Sequence, residues 1–133
     1  METVLGFDFG LKRIGVAVGN TVIRQAQALT IIEAATNDGK FAAITALVAS
    51  WQPARCIIGM PFHPDGAEHE MSVRCRRFAN QLHGRYGLPV VLVDERYTSA
   101  VLARQRGERI DDRAAALILQ QYFDDHSDAP TSP

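Results

Sequence analysis

Cysteine is scarce in this chain of 133 residues. Its two cysteines, Cys56 and Cys75, fit neither a disulfide framework nor zinc-ligand spacing, so both read as core thiols. No apolar run approaches the roughly 20 residues that a membrane helix needs, which excludes a helical span and predicts no membrane partner. The N-terminus lacks a basic segment followed by an apolar core and a small-residue cleavage site. A secretory leader is therefore not expected, and the localisation reads as cytoplasmic. An excess of one charge is missing as well. The formal net charge of −1 announces neither a nucleic-acid binder nor a self-repelling acidic chain. With 47% hydrophobic and 22% charged residues, the composition is that of a folded domain rather than a disordered one.

What is present is organised around Val4 to Val18. Two apolar runs flank a short Gly10-Leu11-Lys12-Arg13 turn, and one carboxylate, Asp8, lies inside the first run. Runs of this kind read as buried strands joined in a hairpin. A third extended segment is expected from Thr21 to Ile32. Thr36 to Gly39 carries helix-capping residues, and Phe41, Ile44, Leu47, Val48 and Trp51 recur at helical spacing up to a stop at Pro53. Arg55 to Gly59 reads as a short buried strand running into a loop stiffened by Pro61 and Pro64. A helix from about Glu68 to Arg85 follows, with Met71, Cys75, Phe78 and Leu82 on its apolar stripe. Val90 to Val93 is the fifth strand. A short helix near Ser99 to Arg104, a basic loop to Arg109 and a last helix from Asp111 to about Phe123 complete a domain spanning residues 1–123. The remaining residues, 124–133, read as a polar tail whose acids, Asp124, Asp125 and Asp128, leave the body of the chain slightly basic. The order implies an α/β fold, a mixed five-stranded sheet with its first three strands antiparallel and helices covering it.

Three acids stand at element ends: Asp8 late in strand one, Glu95 just after strand five, and Asp111 at the head of the last helix. In α/β sheets ligands gather outside the carboxyl ends of the parallel strands, so these three could converge on one rim. Oxygen ligands of this type suit Mg²⁺ or Mn²⁺, and two such ions about 4 Å apart can activate a water and stabilise a leaving oxygen in phosphodiester hydrolysis. Each acid also has a plainer reading. Asp8 could pair with Lys12 or Arg13, Glu95 could belong to a surface cluster with Asp94 and Arg96, and Asp111 could be an ordinary N-cap with Asp112 as its rival. Arg74, Arg77, Arg104, Arg106 and Arg109 read either as solvated surface or as phosphate contacts. His63 and His69 have no further ligand at zinc spacing. The Gly6-Phe7-Asp8-Phe9-Gly10 run is neither a Rossmann fingerprint nor a Walker loop.

Four stretches taken together resemble the motifs of the YqgF/RuvX family of RNase H-like nucleases. They are Asp8-Phe9-Gly10 with Lys12-Arg13-Ile14-Gly15, then Gly59-x-Pro61 with Asp65-Gly66, then Asp94-Glu95-Arg96-x-Thr98-Ser99, then Asp111-x-x-Ala114-Ala115. The resemblance implies an RNase H-like fold and a metal-dependent endonuclease acting on structured nucleic acid. Precursor rRNA processed at the 5′ end of 16S is the first expectation and branched DNA the second. It implies Asp8, Glu95 and Asp111 as the acidic triad that holds Mg²⁺ or Mn²⁺, preferring Asp111 over Asp112 because Ala114 and Ala115 follow at the family's distance. Lys12, Arg13, Arg74, Arg77, Arg96 and Thr98 are the expected substrate contacts. The chain departs from the family in the shorter stretch from Ala100 to Ile110 and in Phe62-His63-Pro64. Junction cleavage would need two active sites and hence a homodimer, and the expected state is a monomer or a homodimer. A non-catalytic RNA-binding assembly factor is the alternative outside enzymes. An actin-like ATPase would need a second subdomain that this length does not supply.

Overall fold

The computed structural model describes residues 1–10, 12–60, 70–94 and 112–125. The expected Pro-rich loop, the short helix near Ser99 and the basic loop lie outside them. Strands β1 (Thr3–Phe9) and β2 (Arg13–Asn20) form the expected hairpin, pairing antiparallel from Thr3↔Asn20 to Phe9↔Ile14. Strand β3 (Gln27–Glu33) pairs antiparallel with β2, with a bulge at Val16 and Ala17. Strands β4 (Arg55–Met60) and β5 (Val90–Asp94) continue the sheet in parallel on the other side of β1, giving the order β3-β2-β1-β4-β5. The mixed five-stranded sheet inferred from the order of elements is the one observed.

The third strand begins later than its sequence suggests. Asn20 Oδ1 accepts hydrogen bonds from the N–H groups of Val22 (3.0 Å) and Ile23 (2.8 Å), which bends the backbone into a turn. Thr21 to Ala26 therefore leaves the sheet, and pairing resumes at Gln27.

Helix α1 (Asn37–Trp51) starts where capping chemistry placed it, with Thr36 Oγ1 accepting from Gly39 N at 3.0 Å. It ends at Gln52, which is in the left-handed region (φ 47°) and donates its N–H to Val48 O. Phe41 and Ile44 are buried, but Trp51 is 40% exposed, because the last turn of α1 extends past the core. Helix α2 (Glu70–Tyr86) buries Ser72, Cys75, Phe78, Ala79 and Leu82, while Met71 is only half-buried. It ends at Gly87, whose positive φ (68°) suits a helix terminus. Helix α3 (Asp112–Asp125) buries Ala115, Ile118, Leu119 and Tyr122 as the spacing predicted, and Ala114 and Phe123 besides. Among the described residues no helix is long and apolar enough to cross a membrane.

Strand alternation divides these contacts between two faces. Leu5 and Phe7 of β1 pack with Phe41, Ile44, Cys75, Phe78 and Leu82, so α1 and α2 cover one face. Val4 of the same strand packs with Ala17, Ile57, Val93 and the apolar stripe of α3, which covers the other. A central strand buried on both faces reads as a nearly continuous apolar run, and that is how β1 reads.

Candidate functional site

Asp8 is the penultimate residue of β1 and is 1% exposed, the only charged side chain among the buried described residues. By alternation it shares a face with Val4 and Gly6, the face that α3 covers. β1, β4 and β5 run parallel, so their carboxyl ends (Phe9, Met60 and Asp94) share one rim of the sheet. Asp8 stands at that rim. The expectation that strands one and five lie near each other is met with β4 between them. The chain leaves β5 at Asp94, and Glu95 is the next residue.

The direction of α3 is fixed by two contacts with glycines on its face of the sheet. A Cβ built on Gly6 would lie 2.8 Å from Leu119 Cβ and 3.4 Å from the Ala115 carbonyl oxygen. One built on Gly19 would lie 2.6 Å from Phe123 Cε2. Gly19 pairs with Val4, at the far end of β1 from Asp8. The helix therefore runs against β1, with its C-terminal half over Val4 and Gly19 and its first turn toward Asp8. Asp111 immediately precedes that first turn.

Other ties hold the C-terminal half of α3 in place. Arg55, at the start of β4, donates to Tyr122 Oη (3.0 Å) and to Glu2 Oε1 (2.7 Å). The Tyr122 hydrogen bond, ahead of the Glu2 carboxylate, holds the guanidinium pKa above its ordinary value. Gln120 accepts from Ala26 N (3.0 Å) and donates to Arg24 O (3.1 Å), fastening the β2–β3 connection to the same helix.

The candidate substrate contacts are dispersed. Lys12 is exposed in the turn after Asp8, on the same rim. Arg13 is held by Glu33 across the β2–β3 pair, Nε to Oε2 at 2.6 Å. Arg74 and Arg77 are exposed on α2, which packs on the face opposite Asp8, and Arg74 lies 3.6 Å from Glu70. Glu95, Arg96, Thr98 and Asp111 lie outside the described residues. Among the described residues no three His, Cys, Asp or Glu side chains gather. Both cysteines are buried and outside any disulfide, as core thiols should be.

The donor chemistry of Asp8 suits a hard divalent cation. A carboxylate buried at a sheet rim costs several kcal/mol unless positive charge or hydrogen bonds compensate it, and its oxygens match Mg²⁺ or Mn²⁺ rather than softer metals. Sequence reading found Asp8 but missed Gly6. A hint was available, since Gly6, Gly15, Ala17 and Gly19 put small residues at alternate positions on one face of the hairpin.

Comparison with known proteins extends this picture. The profile of a family described as RuvX, Holliday junction resolvase, matches residues 2–125. A protein of Burkholderia ambifaria that carries the provisional name pre-16S rRNA nuclease is 48% identical over 136 aligned residues, covering 95% of this chain and 91% of its own. A Cupriavidus taiwanensis protein with the same provisional name is 53% identical, covering 92% and 88%. Among solved structures, Thermus thermophilus RuvC in complex with a Holliday junction substrate superposes with a TM-score of 0.60 at 16% identity, covering 99% of this chain and 98% of that one. The fowlpox virus Holliday junction resolvase gives 0.55 at 10% identity, covering 92% and 98%. At these identities the structural likeness speaks for the fold, which is that of the RNase H-like resolvases.

Proposed function

We propose that this chain, which belongs to the RuvX Holliday junction resolvase family, cuts phosphodiester bonds in structured nucleic acid and acts at the 5′ end of precursor 16S rRNA. It is a hydrolase of the nuclease class. The observation that carries the reading is the position of Asp8: a buried carboxylate at the carboxyl end of the central strand, on the rim where the parallel strands end. The precursor rRNA is preferred because relatives named for it are about as much alike as different from this chain, at 48% and 53% identity. The action then belongs to the cytoplasm, where ribosomal subunits are assembled.

In this reading Asp8 is joined by Glu95, next in sequence after β5, and by Asp111, next before α3. Together they would hold Mg²⁺ or Mn²⁺. Bound divalent ions supply positive charge to the scissile phosphate and lower the pKa of water. The chain's own part is placement. Asp8 enters from a strand packed on both faces, so its carboxylate is held in position before substrate arrives, and little reorganisation remains for the reaction step. Lys12, exposed on the same rim, is suited to a backbone phosphate. Arg96 and Thr98, close after Glu95 in sequence, are assigned the same phosphate-contacting role, whereas Arg13, already engaged by Glu33, orders the turn.

The test is Asp8→Asn, assayed for Mg²⁺-dependent cleavage of precursor 16S rRNA beside a four-way DNA junction. The substitution keeps the shape of the side chain and removes its charge. Cleavage should fall to background while the circular dichroism spectrum and melting temperature hold. Undiminished cleavage by a folded Asp8→Asn protein would refute the reading. The family's description favours one second reading, in which the junction is the substrate; wild-type protein that cuts the junction and spares the rRNA would establish it, and such activity would require a homodimer presenting two sites.

A further inference from the structure

The contact between Gly6 and α3 does more than fill space. Three observations bear on it. Gly6 lies two residues before Asp8 on the same face of β1, so whatever rests on Gly6 lies beside the carboxylate. The atom that a Cβ at Gly6 would strike is Leu119 Cβ at 2.8 Å, the stem of a side chain rather than its flexible end, with the Ala115 carbonyl behind it at 3.4 Å. Room at Gly6 can therefore be made only by moving the helix and the strand apart. And these contacts, Ala115 in the first half of α3 and Leu119 at its middle, lie on the stretch of helix that leads back toward Asp8. From Ala115 back to the first residue of α3 is about 4.5 Å along the helix, and from Gly6 to Asp8 is about 6.6 Å along the strand. A displacement at Gly6 is thus passed to the stretch of α3 that leads toward Asp8.

Gly19 provides an internal contrast. It also lies under α3, but a Cβ there would meet the edge of the Phe123 ring, Cε2 at 2.6 Å and Cζ at 2.9 Å, at the helix end remote from Asp8. The Gln25 carbonyl oxygen also lies 3.0 Å away, so a methyl there strains the β2–β3 connection and the Phe123 ring, both remote from Asp8.

From this geometry we infer that Gly6 is a positioning residue for the metal site: by lacking a side chain, it sets the height of α3 above β1 and so the spacing between Asp8 and the head of α3. The inference rests on the proposed metal-binding role of Asp8. Gly6 touches neither substrate nor metal; it acts through Leu119 and the helix that carries it.

The experiment compares wild type, Gly6→Ala, Gly19→Ala and Asp8→Asn for Mn²⁺ binding by calorimetry, with thermal melting alongside. Gly6→Ala should weaken Mn²⁺ binding by about tenfold, the loss typical when groups that orient metal ligands are altered. Its cleavage should recover as Mn²⁺ is raised. Gly19→Ala should lose thermal stability yet bind Mn²⁺ as wild type does. If the two glycine variants lose stability and affinity in parallel, the role of Gly6 is structural only and the inference fails. If Asp8→Asn abolishes binding while Gly6→Ala binds like wild type, the metal site stands and the positioning role is overturned. If Asp8→Asn binds like wild type, the underlying site is wrong and the inference goes with it. Should Gly6→Ala not fold, Leu119→Val alters the same contact by one methylene, with Phe123→Leu as its distal control. The same two patterns then decide the matter: weaker Mn²⁺ binding confined to the Leu119 variant supports the inference, and equal binding in both overturns it.

Discussion

Asp8 and Cys56 occupy neighbouring strands of one sheet, and burial acts on both. For the thiol the outcome is neutrality: loss of solvation pushes the Cys56 pKa from 9.0 up to about 12. The carboxylate stands at the rim where the parallel strands end, and that placement, rather than burial, is what the proposed function draws on. The thiol carries a pH prediction. The unfolded chain begins to ionise Cys56 near its ordinary value while the folded chain keeps the proton, so the unfolded state binds fewer protons across this window. The contribution is fully present below about pH 9 and is lost as pH rises toward about 12. Urea midpoints measured across this range should fall more steeply for wild type than for Cys56→Ala, whose cavity costs stability at every pH alike. Equal slopes would mean that Cys56 ionises in the native state as freely as in the unfolded chain.

At the scale of elements, most boundaries follow from local chemistry. β1 and β2 were legible because two apolar runs flank a turn, and the start of α1 because Thr36 precedes Gly39 at capping distance. The misjudged edges have equally local causes. Asn20 bends the chain through its side-chain oxygen, which hydropathy does not register, and Trp51 falls on the apolar stripe of a helix that outruns the core by a turn. Of the site, Asp8 could be read because a lone acid in an apolar run demands an explanation. Gly6 was no more than hinted at by the small residues around it, because a strand's sequence does not say which helix rests on it or how closely. One terminus invites a test. Gln52 ends α1 with φ of 47°, a conformation that costs residues with a Cβ about 1 kcal/mol and glycine almost nothing. Gln52→Gly should therefore raise stability by about 0.5–1 kcal/mol, read from chemical denaturation, provided the donation from its N–H to Val48 O persists. An unchanged or lower midpoint would show that the Gln52 side chain makes a compensating contribution.

For the whole molecule, the order of strands decides where rigidity lies. β1 is third of five, hydrogen-bonded on both edges, and covered by α1 and α2 on one face and α3 on the other. β3 and β5 are the edges, and each leaves an apolar side chain in solvent, Ile31 at 36% and Leu92 at 42% exposed. Amides open with free energies that rise from frayed edges toward the core. Hydrogen exchange should therefore be slowest in peptides covering residues 3–9 and 55–60, and measurably faster in those covering 27–33 and 90–94. The functional consequence lies in the same gradient. Asp8 belongs to the strand expected to open last, whereas Glu95, which the proposed function assigns to the same metal site, follows an edge strand in sequence. On the proposed function, Mn²⁺ held by Asp8 and Glu95 should therefore add more protection at β5 than at β1. Exchange at β5 that is already as slow as at β1 without metal, and unchanged by it, would contradict that division of labour.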